Sequence, residues 1–83
     1  MKNKYNVDDA INSTFLLMQN MKDYGLSSPI STETYAYYAR RADTLLHDKL
    51  KAEEKPSSEI IEKINFARRE YHAAKAQLKA YGA

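Results

Sequence analysis

Residues 58–81 read SEIIEKINFARREYHAAKAQLKAY, and this stretch decides the fold. Its apolar side chains recur at alternating spacings of four and three residues. They are Ile60, Ile64, Ala67, Tyr71, Ala74, Leu78 and Tyr81. That heptad rhythm predicts one continuous apolar seam along a single helix face. Because a lone helix with such a seam is marginal in water, the stretch also predicts neighbouring helices that cover it.

Two further helices are predicted upstream, separated by the few glycine and proline residues. The three predicted helices span about residues 7–24, 32–54 and 58–81. The residues expected to cap their N-termini are Asn6, then Ser31 or Thr32, then Ser57 or Ser58. Gly25 is expected to end the first helix and Gly82 the third. Strand patterns are lacking, so the fold class is predicted to be all-α.

The expected buried faces follow from the spacing of apolar residues. The first helix is expected to bury Val7, Ala10, Ile11, Phe15, Leu17, Met18 and Met21. The second is expected to bury Tyr35, Tyr38, Ala39, Ala42, Leu45, Leu46 and Leu50. A short turn joins helices two and three, which predicts an antiparallel hairpin with helix one packed across it. Residues 1–83 are expected to form this one small domain.

Composition argues against several classes of protein. The chain has no cysteine, so it can form neither a disulfide nor a thiolate metal site. Its longest strongly apolar run, residues 15–18, is far too short to cross a membrane, and we expect a cytoplasmic protein. Each histidine stands alone on its helix, and we interpret Asp43 and His47 as a helix-face pair. We therefore expect no catalytic residues, no bound metal, no cofactor and no enzyme activity.

Positive charge is concentrated near the end of the chain. Residues 1–62 hold eight Lys and Arg against ten Asp and Glu, whereas residues 63–83 hold five against one. Several of these cations, with one histidine, repeat at helical spacing beside the seam, and Arg69 lies further round the helix. The set is Arg68, Arg69, His72, Lys75 and Lys79. Such a face is typical of a solvated helix surface, of contact with nucleic-acid phosphates, or of contact with an acidic protein.

A second group of residues does not fit the buried faces. Leu16 projects opposite the seam of helix one, and Tyr37 points outward beside Arg40 and one turn before Arg41. Tyr37 and Arg41 have the spacing of a cation–π pair, and Tyr and Arg are also the residues that interface hot spots favour. Leu16, Tyr37, Arg40 and Arg41 are therefore candidate partner-binding residues.

Our leading hypothesis is a small helical protein–protein interaction module. It would act as a regulator, inhibitor or adaptor of a larger bacterial or phage protein. The alternative is a nucleic-acid-binding regulator that uses the basic face of helix three. A third is a self-assembling protein whose copies pair through the helix-three seam or through Leu16.

Overall fold

The computed structural model describes residues 6–52 and 57–82, and every regular element in that part of the chain is a helix. Helix α1 spans Val7–Tyr24, α2 spans Pro29–Ala52 and α3 spans Ser58–Ala80. The predicted all-α, three-helix fold is confirmed. The predicted last two residues of helix two, residues 53 and 54, lie outside the described residues.

Helix α1 begins and ends where its polar and glycine residues predict. The Asn6 side chain accepts hydrogen bonds from the backbone N–H of Asp8 at 3.0 Å and of Asp9 at 3.4 Å. At the other end Gly25 has a φ of 100°, a conformation that glycine adopts without steric cost. Its N–H donates to the Met21 carbonyl at 3.0 Å. Both ends therefore have partners for backbone groups that the helix leaves unpaired.

Helix α2 begins three residues before the predicted start, so the predicted cap at Ser31 or Thr32 is wrong. Ser28 is the cap: its hydroxyl accepts the Ser31 N–H at 3.1 Å, and the Ser31 hydroxyl accepts the Ser28 N–H at 3.3 Å. Pro29 follows as the first helical residue, where its missing N–H costs nothing. Thr32 is instead a residue of the helix itself, and it is fully buried.

Helix α3 is capped by Ser57, whose hydroxyl accepts the Ile60 N–H at 3.2 Å. The helix ends at Ala80, and Tyr81, the last residue of the predicted helix and seam, is the C-cap. The Tyr81 ring is partly exposed, and its hydroxyl lies 3.3 Å from the Leu26 carbonyl. Tyr81, the last residue of the predicted seam, therefore lies outside the buried core and contacts the α1–α2 connection.

Helix α2 is the central element. It packs against α3 along one side and against α1 along another, whereas no Cα atom of α1 lies within 8 Å of α3 among the described residues. Helix α1 reaches α3 through side chains: the Phe15 and Phe66 ring centroids are 5.9 Å apart. The antiparallel direction of α2 and α3 stays a prediction.

The core consists of two adjoining clusters. The first contains Met18, Tyr35, Ala36, Ala39, Ala42, Ala67 and Ala74. The second contains Ile11, Leu45, Leu46, Ile60 and Ile64. Phe15 packs against both clusters. The seam residues Ile60, Ile64, Ala67 and Ala74 are thus buried by the chain's own helices, as predicted, whereas Tyr71 is half-buried. Alanines in the first cluster leave room for α2 and α3 to approach closely.

The buried face of α1 is narrower than its apolar residues predict. Leu17, which was expected to be buried, is 43% exposed, and Thr14 occupies a buried position instead. The Thr14 hydroxyl donates to the Ala10 carbonyl at 2.7 Å, so its polar group is paired. Because α1 lies against only one helix backbone, it covers a narrower stripe than a helix wedged between two neighbours.

Candidate functional site

The outer face of α2 presents an aromatic residue between two arginines. Tyr37 is 60% exposed and lies opposite the side of α2 that enters the core. Arg40 and Arg41 flank it, and these three side chains line a shallow groove with Thr44 and Leu45. The structure therefore brings three of the four predicted partner-binding residues together.

The Tyr37 ring packs against the neighbouring aromatic ring. Its centroid is 5.3 Å from that of Tyr38, with the rings edge to face, and Tyr38 is itself half-buried against the core. The cation–π contact found in the described part of the chain joins Lys75 to Tyr71, not Arg41 to Tyr37. Tyr37 is thus held by packing against another ring while most of its surface stays accessible.

A second groove lies where α2 and α3 meet. It is lined by Arg40, Asp43, Arg68, Tyr71 and His72. An arginine of the predicted partner-binding set and two members of the predicted basic face therefore share one site. The sequence showed each helix's face separately. It could not show that Arg40 and Arg68 point into the same groove, because that depends on the register between the helices.

Asp43 is the acidic group in this groove, and two side chains lie against it. Its Oδ1 is 3.2 Å from His47 Nε2 and 3.5 Å from Arg68 Nε, and Arg68 Nη2 is 3.0 Å from the same His47 nitrogen. The Oδ1 atom is enclosed and has no hydrogen bond of good geometry. The predicted Asp43–His47 pair is therefore present, and Arg68 from α3 completes a three-residue cluster.

The last turns of α3 extend this groove. A third depression is lined by His72, Lys75, Ala76, Leu78 and Lys79. The Lys75 ammonium lies 5.9 Å from the centroid of the Tyr71 ring, and the His72 ring meets Tyr71 edge to face at 5.4 Å. His72 lines both this depression and the α2–α3 groove, so the two adjoin at this side chain.

We call the surface formed by these three adjoining depressions, which share Arg40 and His72, the basic groove. It runs from Tyr37 and Arg41 through Arg40 and Arg68 to Lys75 and Lys79. Among the described residues that line it, five are Lys or Arg and one, Asp43, is acidic. Of those five cations, only Arg68 has an ion pair in the described part of the chain.

Two predicted site residues lie elsewhere. Leu16 is 62% exposed on α1 and lines none of the three depressions. Arg69 also lies outside them, and its positive charge helps to lower the pKa of the neighbouring Glu70. The predicted site residues thus lie in three places: most line the basic groove, Leu16 lies on α1 and Arg69 lies elsewhere on α3.

A partly buried polar network missed by the sequence analysis joins all three helices. The Tyr35 hydroxyl donates to Glu70 Oε1 at 2.5 Å, and Lys22 Nζ lies 3.1 Å from the same oxygen. Burial, then the hydrogen bond to Glu70, raises the pKa of Tyr35. Burial alone would raise the pKa of Glu70, but the hydrogen bonds from Tyr35 and Lys22 and the charges of Lys22 and Arg69 lower it.

Residues 6–52 and 57–82 show neither a metal site nor a helix that could span a membrane. No group of three or more histidine or acidic residues in that part of the chain could hold a metal ion. None of the described helices combines the length and the apolar character needed to cross a bilayer.

Comparison with known proteins does not assign the chain to a family. No family model matches it, and no match was found among curated proteins or solved structures.

Proposed function

We propose that this chain is a small helical protein–protein interaction module that regulates, inhibits or links a larger protein by occupying part of its surface. The observation that carries the proposal is Tyr37, a well-exposed aromatic residue between Arg40 and Arg41 at one end of the basic groove. Tyrosine and arginine are the residue types that contribute most at protein interfaces. In this proposal the chain binds its partner and catalyses no reaction.

The packing of Tyr37 supports this role. Its contact with Tyr38 limits the conformations of the ring before any partner arrives. A side chain that is already ordered loses less conformational entropy on binding than a mobile one. The same ring would supply apolar contact area, and its hydroxyl a hydrogen bond, at the interface.

The proposal is tested by capturing partners from a lysate of the organism that encodes the chain. The tagged protein and its Tyr37→Ala variant are compared with and without nuclease, and captured proteins are identified by mass spectrometry. We expect a stoichiometric protein that survives nuclease and is lost with Tyr37→Ala. Tyr24→Ala is the matched control, since Tyr24 is 93% exposed on α1 and lines no part of the basic groove.

Circular dichroism of each variant shows whether helicity is unchanged, which separates lost binding from lost folding. Leu16→Asp is tested in the same capture experiment, because Leu16 is the predicted partner-binding residue outside the groove. Full capture of the partner by both Tyr37→Ala and Leu16→Asp would overturn the proposal.

Nucleic-acid binding is a second candidate, favoured by the Lys and Arg residues that line the basic groove. Contact with phosphates predicts an affinity that falls steeply with salt, by about one unit of log–log slope for each phosphate contacted. A flat salt response, or no binding to nucleic acid at about 50 mM salt, would remove this candidate.

A further inference from the structure

We propose that the basic groove binds an acidic amphipathic helix of the partner protein. This inference rests on the proposed function, because it specifies which kind of protein segment the module recognises. Three features of the groove favour this occupant: its charge, the spacing of its cations along α3, and its apolar floor.

Charge is the first feature. Arg40, Arg41, Lys75 and Lys79 line the groove and have no ion pair within the described residues. The acidic residue of the groove, Asp43, already lies against Arg68 and His47. Carboxylates of a partner can therefore approach these cations without displacing an existing ion pair.

Spacing is the second feature. Arg68, His72, Lys75 and Lys79 follow one another at intervals of four, three and four residues on one face of α3. At about 1.5 Å per residue, this row is about 16 Å long. Carboxylates at the same helical intervals on a partner helix would have the same spacing, so one helix laid along the groove can meet the row.

The apolar floor is the third feature. Tyr71 and Leu78 are half-buried between this row of basic residues and the core, and both line the groove. An amphipathic helix has an apolar stripe that can cover such a floor, whereas a phosphate backbone has none.

A synthetic peptide tests the inference directly. The probe is a fluorescent helical peptide of about 20 residues, long enough to hold a helix, with Glu at i, i+4, i+7 and i+11 beside a stripe of Leu. The matched peptide carries Gln at those four positions. Binding is measured by fluorescence anisotropy at about 50 and 200 mM salt, with a DNA duplex and a single strand as further probes.

We expect the Glu peptide to bind more tightly than the Gln peptide and than either DNA. Lys75→Glu combined with Lys79→Glu should weaken binding of the Glu peptide about tenfold or more, since each reversal replaces an attraction with a repulsion. The control combines Lys51→Glu with Lys63→Glu, two cations outside the groove, which changes the net charge equally. This control should retain most of the affinity.

Several outcomes would overturn the inference: no binding of the Glu peptide, equal binding of both peptides, equal loss in both double variants, or tighter binding of DNA. The lysate experiment distinguishes this failure from failure of the proposed function. A protein that is lost with Tyr37→Ala but retained by Lys75→Glu/Lys79→Glu would overturn the groove inference alone. Absence of any captured protein that depends on Tyr37 or Leu16 would overturn the proposed function.

Discussion

At the scale of single residues, Glu70 is the polar group on which all three helices converge. It is half-buried, and it has two hydrogen-bond donors, Tyr35 from α2 and Lys22 from α1. Removing the carboxylate would leave the Tyr35 hydroxyl buried without its charged partner, and such unpaired groups are costly. Glu70 therefore couples the packing of α1 and α3 on α2.

The lowered pKa of Glu70 predicts a specific pH dependence of folding. The folded chain favours the charged form of the Glu70 carboxyl, so its pKa lies below the ordinary value of 4.5 that applies in the unfolded chain. Its contribution to the free energy of unfolding is thus present above pH 4.5 and is lost as the pH falls through the folded-state pKa. Glu70→Gln should be less stable at neutral pH and should lose less stability on acidification.

Urea denaturation followed by circular dichroism at a series of pH values measures this effect. Glu62→Gln is the control, since Glu62 is an exposed glutamate on the same helix. The prediction would be contradicted if the pH dependence of the free energy of unfolding were unchanged in Glu70→Gln, or if it changed equally in Glu62→Gln.

At the scale of secondary-structure elements, the start of α2 shows how several good capping residues compete. Ser28, Ser31 and Thr32 can each cap a helix, and sequence alone favoured the later pair. The structure uses Ser28 because Pro29 then becomes the first helical residue, where proline is favoured. The extra turn carries Thr32 into the core.

Two substitutions test this assignment. Ser28→Ala should destabilise the fold by about 1 kcal/mol, the typical cost of losing an N-cap. Thr32→Val should be neutral or stabilising, because the Thr32 hydroxyl is buried without a hydrogen-bond partner and valine has nearly the same shape. Thermal and urea denaturation compare the two variants. A larger loss from Thr32→Val than from Ser28→Ala would support the later cap instead.

At the scale of the whole molecule, α2 carries the contacts that hold the helices together. Both core clusters include α2 residues, and α1 reaches α3 only by side chains in the described part of the chain. Phe15 packs against both clusters and against Phe66. Four residues of the helix-three seam, Ile60, Ile64, Ala67 and Ala74, are buried within one chain. Tyr71 and Leu78 are half-buried, and Tyr81 and Leu16 are exposed, so both predicted self-association surfaces keep accessible residues.

Adjacent residues on α1 test this arrangement. Phe15→Ala should lower the free energy of unfolding by about 2–3 kcal/mol, less than for a fully buried phenylalanine. Leu16→Ala should change it by less than about 0.5 kcal/mol, because its side chain is exposed in the monomer. Urea denaturation measures both, and sedimentation shows whether mass changes. Equal losses, or a lower mass for Leu16→Ala, would indicate that Leu16 is covered by another copy.

Much of the fold could be predicted from local patterns. Asn6, Ser57 and Gly25 mark helix ends by chemistry that acts within a few residues, and the seam from Ile60 to Ala74 follows from helical periodicity. The exposure of Tyr37 and Leu16 follows from the same periodicity. The exposure of Leu17 could not be predicted, because it depends on how many helix backbones lie beside α1.

The sequence by itself determined three helices, the buried residues of the α3 seam and the row of basic residues on α3, since each depends on interactions between residues a few positions apart. Tertiary structure alone decided that Arg40 joins Arg68 and His72 in one groove and that Glu70 meets Tyr35 and Lys22. The physical reason is that such contacts depend on the register and spacing of whole helices. Those are set by how alanines and larger side chains pack across the interface.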